Sequence, residues 1–322
     1  QGGHFFEPPW GGFAPLGNIL GTMMGEAGKG VLAMVVACTV WGLSPIYYKQ
    51  LAGVPPLEVL SHRTLWSFLI FSALLSYQKR LGDLFAVLVT MRGFLLIAAA
   101  GSLISLNWFV FIYSIQIDQA IAASFGYYVF PLVAVSIGYL GFGERLTNVQ
   151  IVAVSLAVLA VLVLGFGLGV TPWISLVLAF SFGTYGLIKK SLTIGPVDSV
   201  TGEVALLLPL ALIWLTGAHT AGWTGIEGRS GGFFGNDWFT TLLLVLAGLF
   251  TAGPLILFSF ATKRLSMASV GFIQYLNPTL QFLVAVALFQ EVFTLWHAIA
   301  FGFIWLALAI YSFSAYFQEK SA

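Results

Sequence analysis

The sequence predicts an all-α polytopic membrane protein of ten transmembrane helices, built as two inverted five-helix repeats. Three observations lead there. The chain has 322 residues, 59% of them hydrophobic and only 8% charged, which is more apolar surface than a soluble protein of this length can hide. Its charge-free runs have the length of about 20 residues that crosses a bilayer as a helix. It also repeats itself. Phe125, Tyr128, Pro131, Phe142, Glu144 and Thr147 recur 147 residues later as Phe272, Tyr275, Pro278, Phe289, Glu291 and Thr294. A fainter echo at an offset of 141 takes Gly42, Lys49, Leu51, Pro55, Val59 and Leu65 to Gly183, Lys190, Leu192, Pro196, Val200 and Leu206.

The runs place helices near 30–49, 56–78, 93–116, 119–142, 148–167, 171–189, 198–217, 238–262, 266–290 and 293–316. The uncharged stretch from Leu146 to Ile188 is too long for one span, and it divides at Gly165–Gly169 and Pro172. Basic residues set the orientation. With the N-terminus inside, ten lie on the cytoplasmic side (Lys29, Lys79, Arg80, Arg92, Arg145, Lys189, Lys190, Lys263, Arg264, Lys320), against Lys49 and Arg229 outside. Both termini are therefore expected in the cytoplasm. Five is odd, so the repeats over 29–168 and 169–318 must be inverted, leaving 319–322 as a tail. The loop 217–237 is then extracytoplasmic, with Trp223, Phe233 and Phe234 available to sit at the membrane interface.

Residues 1–28 are rich in Gly, Pro and aromatics and lack the basic and apolar regions of a signal peptide. They read as a flexible extension, with Met23 or Met24 a candidate start. The alternative is a segment docked on a membrane-protein partner through Phe5, Phe6, Trp10 and Phe13.

Composition also excludes functions. A net charge of +1 leaves no footprint for nucleic acid. One cysteine, Cys38, and four scattered histidines predict no metal site and no disulfide within the chain. No nucleotide-binding loop, His-Glu-x-x-His or Gly-x-Ser-x-Gly is present. The expectation is a non-enzyme without a cofactor, acting on a small-molecule substrate among membrane lipid.

Charge inside a span is expensive and needs a reason. Arg63 lies about two turns into the second helix behind His62, which suits an anchor for a substrate carboxylate or other anion. Glu203 lies at similar depth in the seventh helix, a candidate for binding a proton or cation. The structural alternatives are snorkelling for Arg63 and capping for Glu203. Glu144 and Glu291 precede helix starts, where a carboxylate suits the positive dipole end. Both read as structural, joining helices four to five and nine to ten. A polar aromatic set completes the candidates: Trp41, Ser44 and Tyr47 on helix one, Asn107 and Trp108 on helix three, Ser124, Tyr127 and Tyr128 on helix four, Tyr185 on helix six, and Gln274, Tyr275 and Asn277 on helix nine. Pro131 and Pro278 follow at equivalent points, as expected of paired hinges. Some of the polar groups would then only repair the freed carbonyls.

The segments Trp41-Gly42-Leu43-Ser44-Pro45, His62-Arg63-x-x-Trp66-Ser67, Asn107-Trp108, Ala123-Ser124-Phe125-Gly126-Tyr127, Gly143-Glu144-Arg145, Tyr185-Gly186-Leu187 and Gly271-Phe272-x-Gln274-Tyr275-x-x-Pro278-Thr279 resemble the RarD-type proteins. These belong to the EamA branch of the drug/metabolite transporter superfamily. The likeness is collinear over about 28–316, with Phe130 a departure where the family carries Asn. It implies helices one to four and six to nine around a central cavity, with five and ten outside it. It also implies a multi-pass protein of the bacterial inner membrane. The expected function is a secondary transporter exporting a small metabolite or drug-like solute by alternating access. The competing expectation is a non-transporting scaffold or assembly subunit.

Overall fold

The computed structural model describes residues 25–142, 147–169, 172–265 and 267–321. Glu144 and residues 1–24 of the extension fall outside them. Helices run where the apolar segments predict: α1 (Glu26–Gln50), α2 (Pro56–Tyr77), α4 (Met91–Gln116), α5 (Ala120–Phe142), α6 (Asn148–Leu168), α7 (Trp173–Lys190), α8 (Pro196–Ala221), α9 (Trp238–Thr262) and α12 (Leu295–Ser321). Apolar side chains leave backbone groups no partner in lipid other than their own helix, so each run closes its hydrogen bonds internally. Among the described residues, nine segments are long and apolar enough to cross a membrane, Ser269–Leu288 among them, and α7 is a shorter apolar helix.

Two local results differ from expectation. A short helix, α3 (Leu81–Leu88), lies between α2 and α4. Its Leu81, Leu84, Phe85 and Leu88 follow i, i+3, i+4, i+7 spacing, with Leu84 buried and Phe85 exposed. The ninth span is also not one helix. It divides into α10 (Met267–Gln274), α11 (Leu276–Leu283) and a π turn over Val284–Leu288. Pro278 has no N–H to give the Gln274 carbonyl, and its ring crowds that carbonyl, so the break falls at Tyr275. α5 continues through Pro131 unbroken.

The largest helix pairings share a pattern. α2 packs on α9 and α4 on α8; α1 packs on α9 and α7 on α4; α1 packs on α11 and α7 on α5. The pairs α2–α8, α5–α11 and α6–α12 complete the set. Exchanging α1, α2, α4, α5 and α6 with α7, α8, α9, α11 and α12 respectively carries this set into itself. Close approach permits it. A Cβ on Gly42 of α1 would stand 2.6 Å from Leu280 Cβ and 3.0 Å from the Asn277 carbonyl of α11, so only glycine fits that crossing. α6 and α12 pair away from the centre, α6 burying Ala153, Ala157, Ala160 and Leu164 on one stripe.

Candidate functional site

The connection 222–237 closes one end of the bundle as a strap. α8 ends at Gly222, whose left-handed φ of 63° turns the chain back. A tight turn follows, with Gly225 N–H on the Arg229 carbonyl at 2.7 Å. The Glu58 carboxylate in the first turn of α2 accepts the N–H groups of Gly232 (2.9 Å), Phe233 (2.8 Å) and Phe234 (3.4 Å). Arg229 donates to the Ala52 carbonyl and to Gln116 Oε1 at 2.7 Å. Phe233 and Phe234 therefore pack inward on the core rather than at the lipid interface. Phe234 stacks on His62, ring centres 4.7 Å apart. Both nitrogens of the buried His62 lack a hydrogen-bond partner.

Beneath the strap lies Arg63, 6% exposed. Its Nε donates to Thr251 Oγ1 at 2.6 Å and its Nη1 to Tyr48 OH at 2.8 Å. The guanidinium carbon stands 4.0 Å over the Trp108 ring, a cation–π arrangement that offsets part of the desolvation cost. Beside Trp108 on α4, Asn107 Nδ2 donates to Ser181 Oγ (2.9 Å) and to the Leu178 carbonyl (3.1 Å), while Tyr127 OH donates to Asn107 Oδ1 at 2.7 Å. Three of the four hydrogen-bonding positions of the amide are thereby occupied, both N–H donors and one Oδ1 lone pair. Tyr47 OH reaches the Leu243 carbonyl at 2.5 Å and stacks on Phe250.

A second cluster holds Glu203. Its Oε1 accepts from Lys189 Nζ (2.7 Å) and Ser199 Oγ (2.8 Å), its Oε2 from Tyr185 OH (3.2 Å). Lys189 also donates to Ser199. Glu203 is fully buried, and Lys189 compensates its charge. It makes no pair with Arg63.

The remaining candidates sit on other seams. Tyr128 points about a third of a helical turn from Tyr127, bonding Thr279 at 2.6 Å and meeting Phe301 and Trp305 of α12 edge-on. Ser124 donates to the Pro278 carbonyl at 3.0 Å. Ser44 is spent on the Trp41 carbonyl, and Trp41 tilts against Phe258. Gln274 ends α10, Tyr275 is the break between α10 and α11, and Asn277 Oδ1 accepts from Gln281. Glu291 is structural in a different sense from the expected one. It accepts from Ala120 N (2.6 Å) and Ile121 N (2.8 Å), so it caps α5 rather than the start of α12. Burial pushes its carboxyl above the ordinary value, outweighing these two hydrogen bonds.

Sequence reasoning missed Tyr48, Thr251, Ser181, Lys189 and Glu58 as members of these clusters. Glu58 and Tyr48 carried a signal, since each lies within about a turn of a candidate. Ser181 and Lys189 each lie four residues from Tyr185 and carried the same signal, whereas Thr251 is a single hydroxyl in an apolar run and carried none.

Comparison with known proteins fits this architecture. The EamA-like transporter family matches residues 28–166. An "Uncharacterized transporter" of Vibrio cholerae is 41% identical over 293 residues, covering 89% of this chain and 93% of that protein. "Protein RarD" of Streptomyces exfoliatus is 39% identical over 290 residues, covering 90% of each. A solved crystal structure at 17% identity shares the fold, with a TM-score of 0.57 over 87% of this chain and 96% of that one. On the strength of these relatives and of its helical architecture, the chain belongs to the RarD-type proteins of the EamA-like transporter family.

Proposed function

We propose that this chain is a secondary transporter that exports a small organic solute across the bacterial inner membrane by alternating access. In this reading ten spans form two inverted repeats, 29–168 and 169–318, and both termini are cytoplasmic. The strap then closes the outer end.

One observation carries the reading. The polar contacts of the centre join one repeat to the other: Arg63 to Thr251, Asn107 to Ser181, Ser124 to the Pro278 carbonyl and Tyr128 to Thr279. Such groups in a membrane interior are retained where they line a path or a site, and a seam between repeats is where one forms. The solute contacts would come from Arg63, Trp108, Tyr47, Tyr127, Asn107 and His62. Trp41, Ser44, Tyr185, Gln274, Tyr275 and Asn277 would face the path toward the cytoplasm. Pro131 and Pro278 would serve as the hinges. Glu203 would couple transport to a proton only by releasing Lys189.

Reconstitution tests this. Protein in liposomes should move at least one radiolabelled metabolite of a broad panel, with flux abolished in Asn107→Leu. A panel without vectorial flux, in protein that remains folded, would sink the reading.

A further inference from the structure

We propose that the transported solute is a monoanionic organic carboxylate with a planar, apolar body, and that Arg63 is its counter-ion. This rests on the transporter reading above and goes further by naming the substrate class.

Several ionic groups of the helices have a compensating partner. Glu203 has Lys189, Asp198 has Arg80, and Lys49 has Asp118. Glu58 has three backbone N–H groups. Arg63 alone among these faces only neutral partners, the hydroxyls of Thr251 and Tyr48 and the ring of Trp108. No carboxylate among the described residues pairs with it. A buried charge left in that state is costly. An arginine stays protonated, so it cannot escape by losing its proton.

Donor geometry points the same way. A guanidinium has five N–H donors, and the two hydrogen bonds to Thr251 and Tyr48 leave the other three, on Nη1 and Nη2, without a protein acceptor among the described residues. Stacking on Trp108 occupies the face of the group and leaves its edge for a ligand. A planar fork matches the two oxygens of a carboxylate.

The surroundings supply the rest of the class. The guanidinium carbon stands 5.9 Å from the Tyr48 ring centre, and ring contacts run on from Tyr48 to Tyr47 and Phe250 and to Phe111 and Tyr127. Such a wall favours a flat apolar body over a small hydrated one. One uncompensated positive charge selects a single negative charge. A dianion would restore the imbalance with opposite sign, and a cation would add to it.

Purified protein in detergent tests the class directly. Benzoate, phenylacetate and indole-3-acetate should raise the unfolding temperature, while benzamide, benzylamine and chloride should not. Arg63→Gln should weaken the carboxylate effect on the order of a hundredfold, and Arg63→Lys should retain part of it. Equal responses to amide and carboxylate, an undiminished response in Arg63→Gln, or no response to any of the three carboxylates in wild type would overturn the proposal. The two readings fail separately. Carboxylates that bind while nothing crosses proteoliposomes would end the transporter reading and leave the ligand class. Vectorial flux of a neutral or cationic solute, with no binding of carboxylates, would do the reverse.

Discussion

Asn107 on α4 donates a 2.9 Å hydrogen bond to Ser181 on α7, joining segments 74 residues apart in sequence at the middle of the bundle. Bonds to the Leu178 carbonyl and from Tyr127 OH occupy the second amide N–H and one lone pair of Oδ1. Asn107→Ala should therefore orphan the Tyr127 hydroxyl in the interior and destabilise the protein by about 1–3 kcal/mol. Denaturant unfolding in micelles checks this. An unchanged midpoint would show that another group takes up the hydroxyl.

The strap depends on Glu58. Replacing it by Ala leaves the N–H groups of Gly232, Phe233 and Phe234 without their acceptor. Hydrogen exchange should then quicken across 222–237, while the Arg80–Asp198 end of the bundle is unaffected. Exchange that changes equally at both ends would mean that Glu58 supports the whole fold and not a local latch.

The pair Lys189–Glu203 should show strong coupling. Lys189→Met leaves a buried carboxylate without its cation, a loss of about 3–5 kcal/mol. Glu203→Leu strands the Lys189 ammonium, which is one-fifth exposed and so suffers less. The double replacement should recover much of what either single change loses. Additive losses would contradict a private ion pair.

Glu291 sits in a connection outside the spans, and burial raises its carboxyl above the ordinary 4.5. The native state thus holds a proton more readily than the unfolded chain. Stability should fall as pH rises from about 4.5 through the raised value, then level off. Glu291→Gln should abolish that slope. A slope of opposite sign would show that the hydrogen bonds from Ala120 and Ile121, which favour the ionised form, outweigh burial.

Much of this molecule could be read from the chain because a bilayer demands apolar runs of fixed length. That demand located the long helices, while the 147-residue offset relates the Phe125–Thr147 tract to Phe272–Thr294. Depth in a span singled out Arg63 and Glu203. Their partners were harder to see. Thr251 meets Arg63 across 188 residues of sequence, and nothing local to Thr251 marks it. Adjacent residues also diverge. Tyr127 faces Asn107 while Tyr128 faces α12, a division set by helix rotation and neighbours together. Paired prolines were symmetric in sequence but not in effect, since α5 absorbs Pro131 whereas the chain breaks at Tyr275 before Pro278.

Access to the centre from both sides is the most direct test of the whole account. Ser181→Cys in a Cys38→Ser background places one thiol of near-native size beside Asn107. A membrane-impermeant maleimide should label it in right-side-out spheroplasts and in inside-out vesicles alike, with faster labelling from the outside once Glu58→Ala loosens the strap. Labelling from one side only, in both backgrounds, would contradict alternating access through the seam between the repeats.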